Sequence, residues 1–386
     1  MAYESPHSVV YYDPKKAYEG YTLIDPLGSR EAYLIDMEGR IVHQWKFANM
    51  PALNGIFLPT GNFLRPQQTP LGDEELRIIG LAIAGRGGEI VEVDWDGNLV
   101  WKWEDLYMNH TITRWSNGNT MVVRWYRTPD EIIPEVPGGF SGTELTVEGN
   151  KVMWADGLQE VTPDGKIAWE WISFEHMKPE EWPICPLCPR SEWTHANSVI
   201  EMPDGNVMIC CRHISQIFVI DKKTGNIIWR WGEGELAHPH DPTLVSNDNI
   251  LLFDNGGHRQ DGSNISWSRV LEVNMKTGRI EWEYRGNPPM EFYSALCAGC
   301  QRLPNGNTLI CETMVGRVFE ITRDGEIVWE FVNPFYNQWL KDVFGRTNQV
   351  FRSYRYGPDF PGLKGKNLDP NNYQELNKLY GPDAQK

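Results

Sequence analysis

Three histidines stand at matching places in three successive repeats of the chain: His110, His195 with Asn197 two residues on, and His240 followed directly by Asp241. Near neutral pH an imidazole serves as nucleophile, general base or metal ligand. Asn54 takes the matching place one repeat earlier, and Arg65, Arg124, Arg212 and Thr313 recur later in the repeats. An arginine fork beside imidazoles stabilises a multiply oxygenated anion such as sulfate or phosphate. Three histidines are equally a sufficient ligand set for zinc, iron or copper, so the residue types leave both chemistries open. Two Cys-x-x-Cys pairs, Cys185/Cys188 and Cys297/Cys300, fit a four-cysteine zinc or iron–sulfur site, two local disulfides, or free thiols. Neither pair is followed by histidine, so covalent haem is not indicated. His7, His43, His176, His213, His238 and His258 lack this registration and read as structural or surface residues.

These side chains need a scaffold, and the chain's internal repeats supply it. An alternating strand, a turn glycine and a second strand recur six times, with glycines at Gly39, Gly97, Gly165, Gly225, Gly278 and Gly325. Four residues past each glycine stand His43, Trp101, Trp169, Trp229, Trp282 and Trp329; six past stand Trp45, Trp103, Trp171, Trp231, Tyr284 and Phe331. Positions two apart on a strand share a face, so both sets point into contacts between neighbouring sheets. A second hairpin unit with Gly-Asn at its turn recurs in GIFLPTGNFLR, TITRWSNGNTMVV, SVIEMPDGNVMIC and QRLPNGNTLIC, and in TLVSNDNILLF with Asp248 in place of the glycine. Alternating the two hairpins gives four antiparallel strands per repeat, which is a propeller blade.

The expected fold is therefore all-β: a single six-bladed β-propeller over residues 19–356, its ring closed by N- and C-terminal segments. Residues 1–18 and 357–386 read as polar tails. Both sets of tight turns fall on one face of such a ring. The longer connections, 66–86, 126–154, 173–193, 255–267, 286–295 and 333–347, fall on the other, where binding and catalysis concentrate. The histidines begin their strands at that face. Trp125, Tyr126, Trp182, Trp193, Tyr293 and Trp339 also lie on it, and either stack on an aryl ligand or pack the loops. A formal net charge of −16 argues against a nucleic-acid partner. No apolar run reaches membrane-spanning length, and MAYESPHSVVYYDPKK lacks a signal-peptide core. The chain as written reads as cytoplasmic, or as exported where a leader has been removed. Seven cysteines, an odd number, favour a reducing compartment.

The repeats, together with His195-x-Asn197, Arg212-His213 seventeen residues on, and His240-Asp241, resemble bacterial aryl-sulfate sulfotransferases over roughly residues 19–356. The resemblance implies transfer of a sulfuryl group from an aryl sulfate ester to a phenolic acceptor through a sulfohistidine, with no cofactor required. By the same resemblance His240 is the nucleophile, and His110, His195 and Arg212 hold the sulfuryl oxygens and neutralise the leaving phenolate. Asn197 and Thr313 are supporting polar contacts. The chain departs from the family in its two Cys-x-x-Cys pairs and in lacking the additional N-terminal β-domain of well-known members. Two other readings stand beside this one: a metal-dependent propeller hydrolase, lyase or redox enzyme liganding through His110, His195 and His240, and a non-enzymatic binding platform. The expected partner is a small aryl or phenolic molecule, and a homo-oligomer is compatible with each reading.

Overall fold

Six antiparallel blades follow one another along the chain, five of four strands and one of five, as the alternating hairpins require. The computed structural model describes residues 5, 8–81, 84–246, 248–262, 264–337, 345–382 and 384. Blade 1 comprises Tyr21–Ile24, Glu31–Ile35 and Ile41–Lys46, and its innermost strand is Arg355–Tyr356, paired antiparallel with Tyr21 and Thr22. Blades 2 to 5 run in chain order: residues 56–104, 108–172, 196–231 and 239–285. Blade 6 spans residues 299–332 and carries a fifth, outermost strand, Val9–Tyr12, against Ile327–Val332.

The aromatics after each turn glycine do lie between neighbouring sheets, and they make a specific bond there. One indole N–H from each blade donates to a carbonyl at a turn of the next: Trp45 to Asp94 (3.3 Å), Trp101 to Pro163 (2.9 Å) and Trp169 to Lys222 (2.9 Å). Trp229 to Met275, Trp282 to Arg323 and Trp329 to Met37, each at 2.8 Å, complete the circuit. All six interfaces are stapled, five by the tryptophan four residues past the turn glycine and the one after blade 1 by Trp45, six past it. A tryptophan both fills the space between sheets and satisfies a turn carbonyl, which explains the chain's unusual demand for this residue. In blade 1 His43 replaces the indole, stacking on Trp95 at 3.6 Å between ring centroids.

The segments read as polar tails carry structure. Val9–Tyr12 covers the outer edge of blade 6. Near the C-terminus the helix Gln374–Tyr380 lies over the outer edge of blade 1, where Asn377 accepts from Ile41 N (2.7 Å) and donates to Ile41 O (3.1 Å). Exposed strand edges invite pairing with other chains, and both are capped in this way. Among the described residues no helix is long and apolar enough to cross a membrane.

Candidate functional site

At the long-loop face the inner strands of blades 3, 4 and 5 and the entry to blade 6 converge on a cavity of about 460 Å³. His110, His195, His240, Arg212 and Cys297 all line it. Arg86, Glu192, Leu296 and Phe351 join them from the connections between blades. The strand tops are irregular: the register shifts between Val122 and Val123, between Ala196 and Ser198, and between His240 and Thr243. At or beside these shifts His110, His195 and Asp241 take left-handed backbone (φ 49°, 51°, 53°), as does Cys297 (φ 59°) in blade 6. Each such residue costs about 1–3 kcal/mol, and such conformations concentrate at functional sites. The bulges turn the imidazoles inward. Gly85 (φ 85°) lies so close to His110 that an added Cβ would stand 2.1 Å from the ring, so only glycine fits.

Hydrogen bonds at Nδ1 set the chemistry of each imidazole. Asn255 donates through Nδ2 to the carbonyls of Ser294 (2.7 Å) and Cys297, which turns its Oδ1 toward His240 Nδ1 at 2.7 Å. An acceptor there requires a proton on Nδ1 and leaves the lone pair on Nε2. Asn109 acts likewise: its Nδ2 donates to Asp156 (3.3 Å) while its Oδ1 sits 3.0 Å from His110 Nδ1. His195 differs, because its Nδ1 lies 2.9 Å from the Glu192 carboxylate. Burial holds His110, His195 and His240 well below the ordinary histidine range, so all three rings are neutral at pH 7. Burial also lifts the Glu192 carboxyl to about 8, against a donated bond from Trp125 Nε1 and the charge of Arg212, which lower it. Glu192 and His195 together therefore retain one transferable proton at neutral pH.

Arg212 makes no ion pair among the described residues, and its Nε has no partner. Its Nη1 stands 3.7 Å from Cys188 Sγ, and with no carboxylate partner the guanidinium lines the cavity as a cation suited to an anion. The other two arginines of the sequence pattern do not reach the site. Arg65 is fully buried in an ion pair with Asp25 (2.8 Å), and Arg124 pairs with Asp105 (2.6 Å). Asn197 and Thr313 lie beneath the cavity rather than on its wall. Asn197 Nδ2 donates to Pro239 O (2.8 Å) and Thr313 Oγ1 to Phe351 O (2.9 Å), so each fixes backbone that carries cavity residues. Asn54 does not line the cavity either; its neighbours Ala52 and Leu53 do.

Leu53, Leu296, Met314 and Phe351 form an apolar side of the cavity suited to an aromatic ring. Among the loop tryptophans, Trp125, Trp182 and Trp193 are buried in the packing of the loops, and Trp339 lies outside the described residues. Cys297 reaches the cavity, but burial lifts its thiol to about 12, so it is a neutral lining group. Cys300 is buried behind it, its backbone N–H bonded to Asp241 (3.0 Å).

Several residues of the site carry no repeat signature. His213 stacks on His195 with ring centroids 4.5 Å apart. Arg352 runs across the floor, donating to Asn197 O (2.7 Å) and Ser198 Oγ and lying 3.2 Å from the Asp241 carboxylate. It ties blades 4 and 5 together below the cavity. Glu192 and Asn255 could have been suspected only from proximity, three residues before His195 and at the end of the second strand of blade 5.

The fold is a propeller with a histidine-lined, arginine-bearing cavity of about 460 Å³ at its loop face, a concave site of small-molecule size. The sequence model described as arylsulfotransferase (ASST) matches residues 85–334, well over half of the chain. The protein belongs to the arylsulfotransferase family. No curated protein matches the sequence significantly. Among solved structures, a protein of unknown function from Bacteroides caccae is similar with a TM-score of 0.54 at 13% identity, over 87% of this chain and 98% of that one. A streptogramin B lyase (TM-score 0.46, 13% identity, 86% and 85% covered) is also similar. So is a periplasmic gluconolactonase from Pseudomonas aeruginosa (TM-score 0.46, 12% identity, 81% and 96% covered). At this identity the first supports the fold alone, and the other two carry no argument.

Proposed function

We propose that the protein transfers a sulfuryl group from an aryl sulfate ester to a phenolic acceptor through a sulfohistidine at His240. The observation that carries this reading is the orientation of Asn255, which leaves the lone pair of His240 on Nε2 in a cavity that the Arg212 guanidinium also lines. In the first half-reaction His240 Nε2 forms the N–S bond and the S–O(aryl) bond breaks. Its electron pair leaves on the phenolate oxygen, which takes the proton held by Glu192 and His195. Asn255 Oδ1 accepts a hydrogen bond from the Nδ1–H of the now cationic ring, which keeps its proton, and Arg212 compensates the sulfuryl oxygens. In the second half-reaction the acceptor oxygen forms the new S–O bond and its proton returns to the Glu192–His195 pair. The N–S electrons go back to His240.

Family membership supports the reaction class, and the apolar side at Leu296, Met314 and Phe351 supports an aryl group on donor and acceptor. No metal or organic cofactor is required by this sequence of steps. Incubation with 4-nitrophenyl sulfate and phenol tests the proposal: nitrophenol and phenyl sulfate should appear in equal amounts, and His240→Ala should abolish both. Nitrophenol release without phenyl sulfate would indicate hydrolysis instead, and unchanged turnover in His240→Ala would exclude His240 as the nucleophile.

A further inference from the structure

Beside the cavity, on the same face, lies a second group of ligating side chains that the transfer chemistry does not use. Cys185 and Cys188 sit on the strand Ile184–Pro189, in the long connection between blades 3 and 4. They meet His238, at the entry to blade 5, and His258, in the connection between the second and third strands of that blade. The sequence pattern had set both histidines aside and offered Cys297 and Cys300 as companions for this cysteine pair. The fold places those two elsewhere, one on the cavity wall and one buried behind it. One donor atom from each of Cys185, Cys188, His238 and His258 lies within 4.8 Å of the others.

The separations are those of a tetrahedral centre. With Zn–S near 2.3 Å and Zn–N near 2.0–2.1 Å, a tetrahedron sets sulfur and nitrogen about 3.6 Å apart. His238 Nε2 lies 3.3 Å from Cys188 Sγ, and His258 Nδ1 lies 3.5 Å from Cys185 Sγ and 3.7 Å from Cys188 Sγ. Both histidines take left-handed backbone (φ 59° and 58°), so the chain accepts strain at two points to bring them here. Arg212 Nη1 stands 3.7 Å from Cys188 Sγ, a cation suited to thiolate rather than thiol.

We infer that Cys185, Cys188, His238 and His258 form a Cys2His2 site for one zinc ion. Four protein ligands leave no open position, so the ion is structural. It clamps the connection between blades 3 and 4 to blade 5. The consequence for the cavity is direct, because Pro189, Ser191, Glu192 and His195 continue the chain from Cys188, and Arg212 rests on the Cys188 sulfur. The ion thus holds the side of the cavity that carries the proton-holding pair and the Arg212 guanidinium. This inference is independent of the sulfuryl-transfer proposal, since the clamp would order the same face whatever reaction it serves.

The test uses the full chain, purified under reducing conditions without added chelator. Elemental analysis should give one equivalent of zinc per chain, and the variants Cys185→Ser and His258→Ala should each lower bound zinc at least about tenfold. Cobalt(II) exchanged into the wild-type chain should show thiolate-to-metal charge-transfer absorption, retained in Cys297→Ser and lost in Cys185→Ser. His258 is exposed, so His258→Ala keeps the fold test separate from the ligand test; circular dichroism of each variant establishes that it is folded. A folded wild-type chain that takes up neither zinc nor cobalt overturns the inference. So does a Cys185–Cys188 disulfide persisting under reduction, or metal lost on Cys297→Ser instead.

Discussion

Replacing Glu192 by glutamine removes an ionisable proton from the centre of the site while preserving the shape of the side chain. Burial raises the carboxyl to about 8 from an ordinary 4.5, which amounts to about 5 kcal/mol against its ionised form. Neutral His195 and His213, cationic Arg212 and the buried Asp156, itself raised to about 7, surround it. Below its ordinary pKa both folded and unfolded chains hold the proton, and Glu192 adds no pH dependence. From about pH 4.5 upward the unfolded chain releases that proton while the folded chain keeps it. The wild type therefore loses stability until about pH 8. Glutamine has nothing to release, so Glu192→Gln should gain on the wild type across this window, by up to about 5 kcal/mol. Urea unfolding of both proteins at about pH 5, 6.5 and 8 measures the gain. The same variant loses the proton source for the leaving oxygen. Its turnover should fall about 10²–10⁴-fold with unactivated phenyl sulfate and far less with 4-nitrophenyl sulfate, whose leaving group needs little protonation. A stability difference that stays constant with pH, or equal losses for both donors, would refute the assignment of the proton to this pair.

Asn255→Ala removes the acceptor that directs the His240 lone pair, and should lower kcat by about 10²–10⁴ with little change in KM, measured with 4-nitrophenyl sulfate. Arg352→Ala strands the buried Asp241 carboxylate, and should cost about 3–5 kcal/mol in urea unfolding. Arg65→Ala should cost a similar amount by stranding Asp25, yet leave KM for the donor unchanged, because Arg65 lies away from the cavity. Phe351→Ala should raise KM for aryl sulfates by about tenfold while leaving inhibition by inorganic sulfate intact, since the ring faces the apolar side of the cavity.

The blades were legible because their signals are local and repeated. A turn glycine such as Gly97 or Gly225, with aromatics at fixed offsets, determines a hairpin within about fifteen residues of chain, and six copies leave little choice of fold. The convergence of His110, His195 and His240 was legible for the same reason, since equivalent positions on a ring face one axis. Arg65 and Arg212 hold matching places in the repeat, yet one is consumed by Asp25 while the other meets no carboxylate among the described residues and reaches the cavity. What separates them is Asp25, a residue forty positions away in another blade, and no spacing rule anticipates it. Glu192, Asn255, His238 and His258 lie in connections outside the repeat, where position follows from loop packing rather than from periodicity. The segments at 9–12 and 374–380 were misleading for a different reason. Their polar, turn-rich surroundings conceal short elements whose order depends on a strand edge that the rest of the chain provides.

The central claim is a covalent N–S bond at His240, and mass spectrometry of the quenched enzyme tests it most directly. With 4-nitrophenyl sulfate present and acceptor withheld, the intact chain should gain the mass of one SO3, and the digest should place it on the peptide containing His240. Adding phenol before the quench should remove it. A chain that turns over donor without ever carrying the adduct, or that carries it on His110 or His195, would contradict the account.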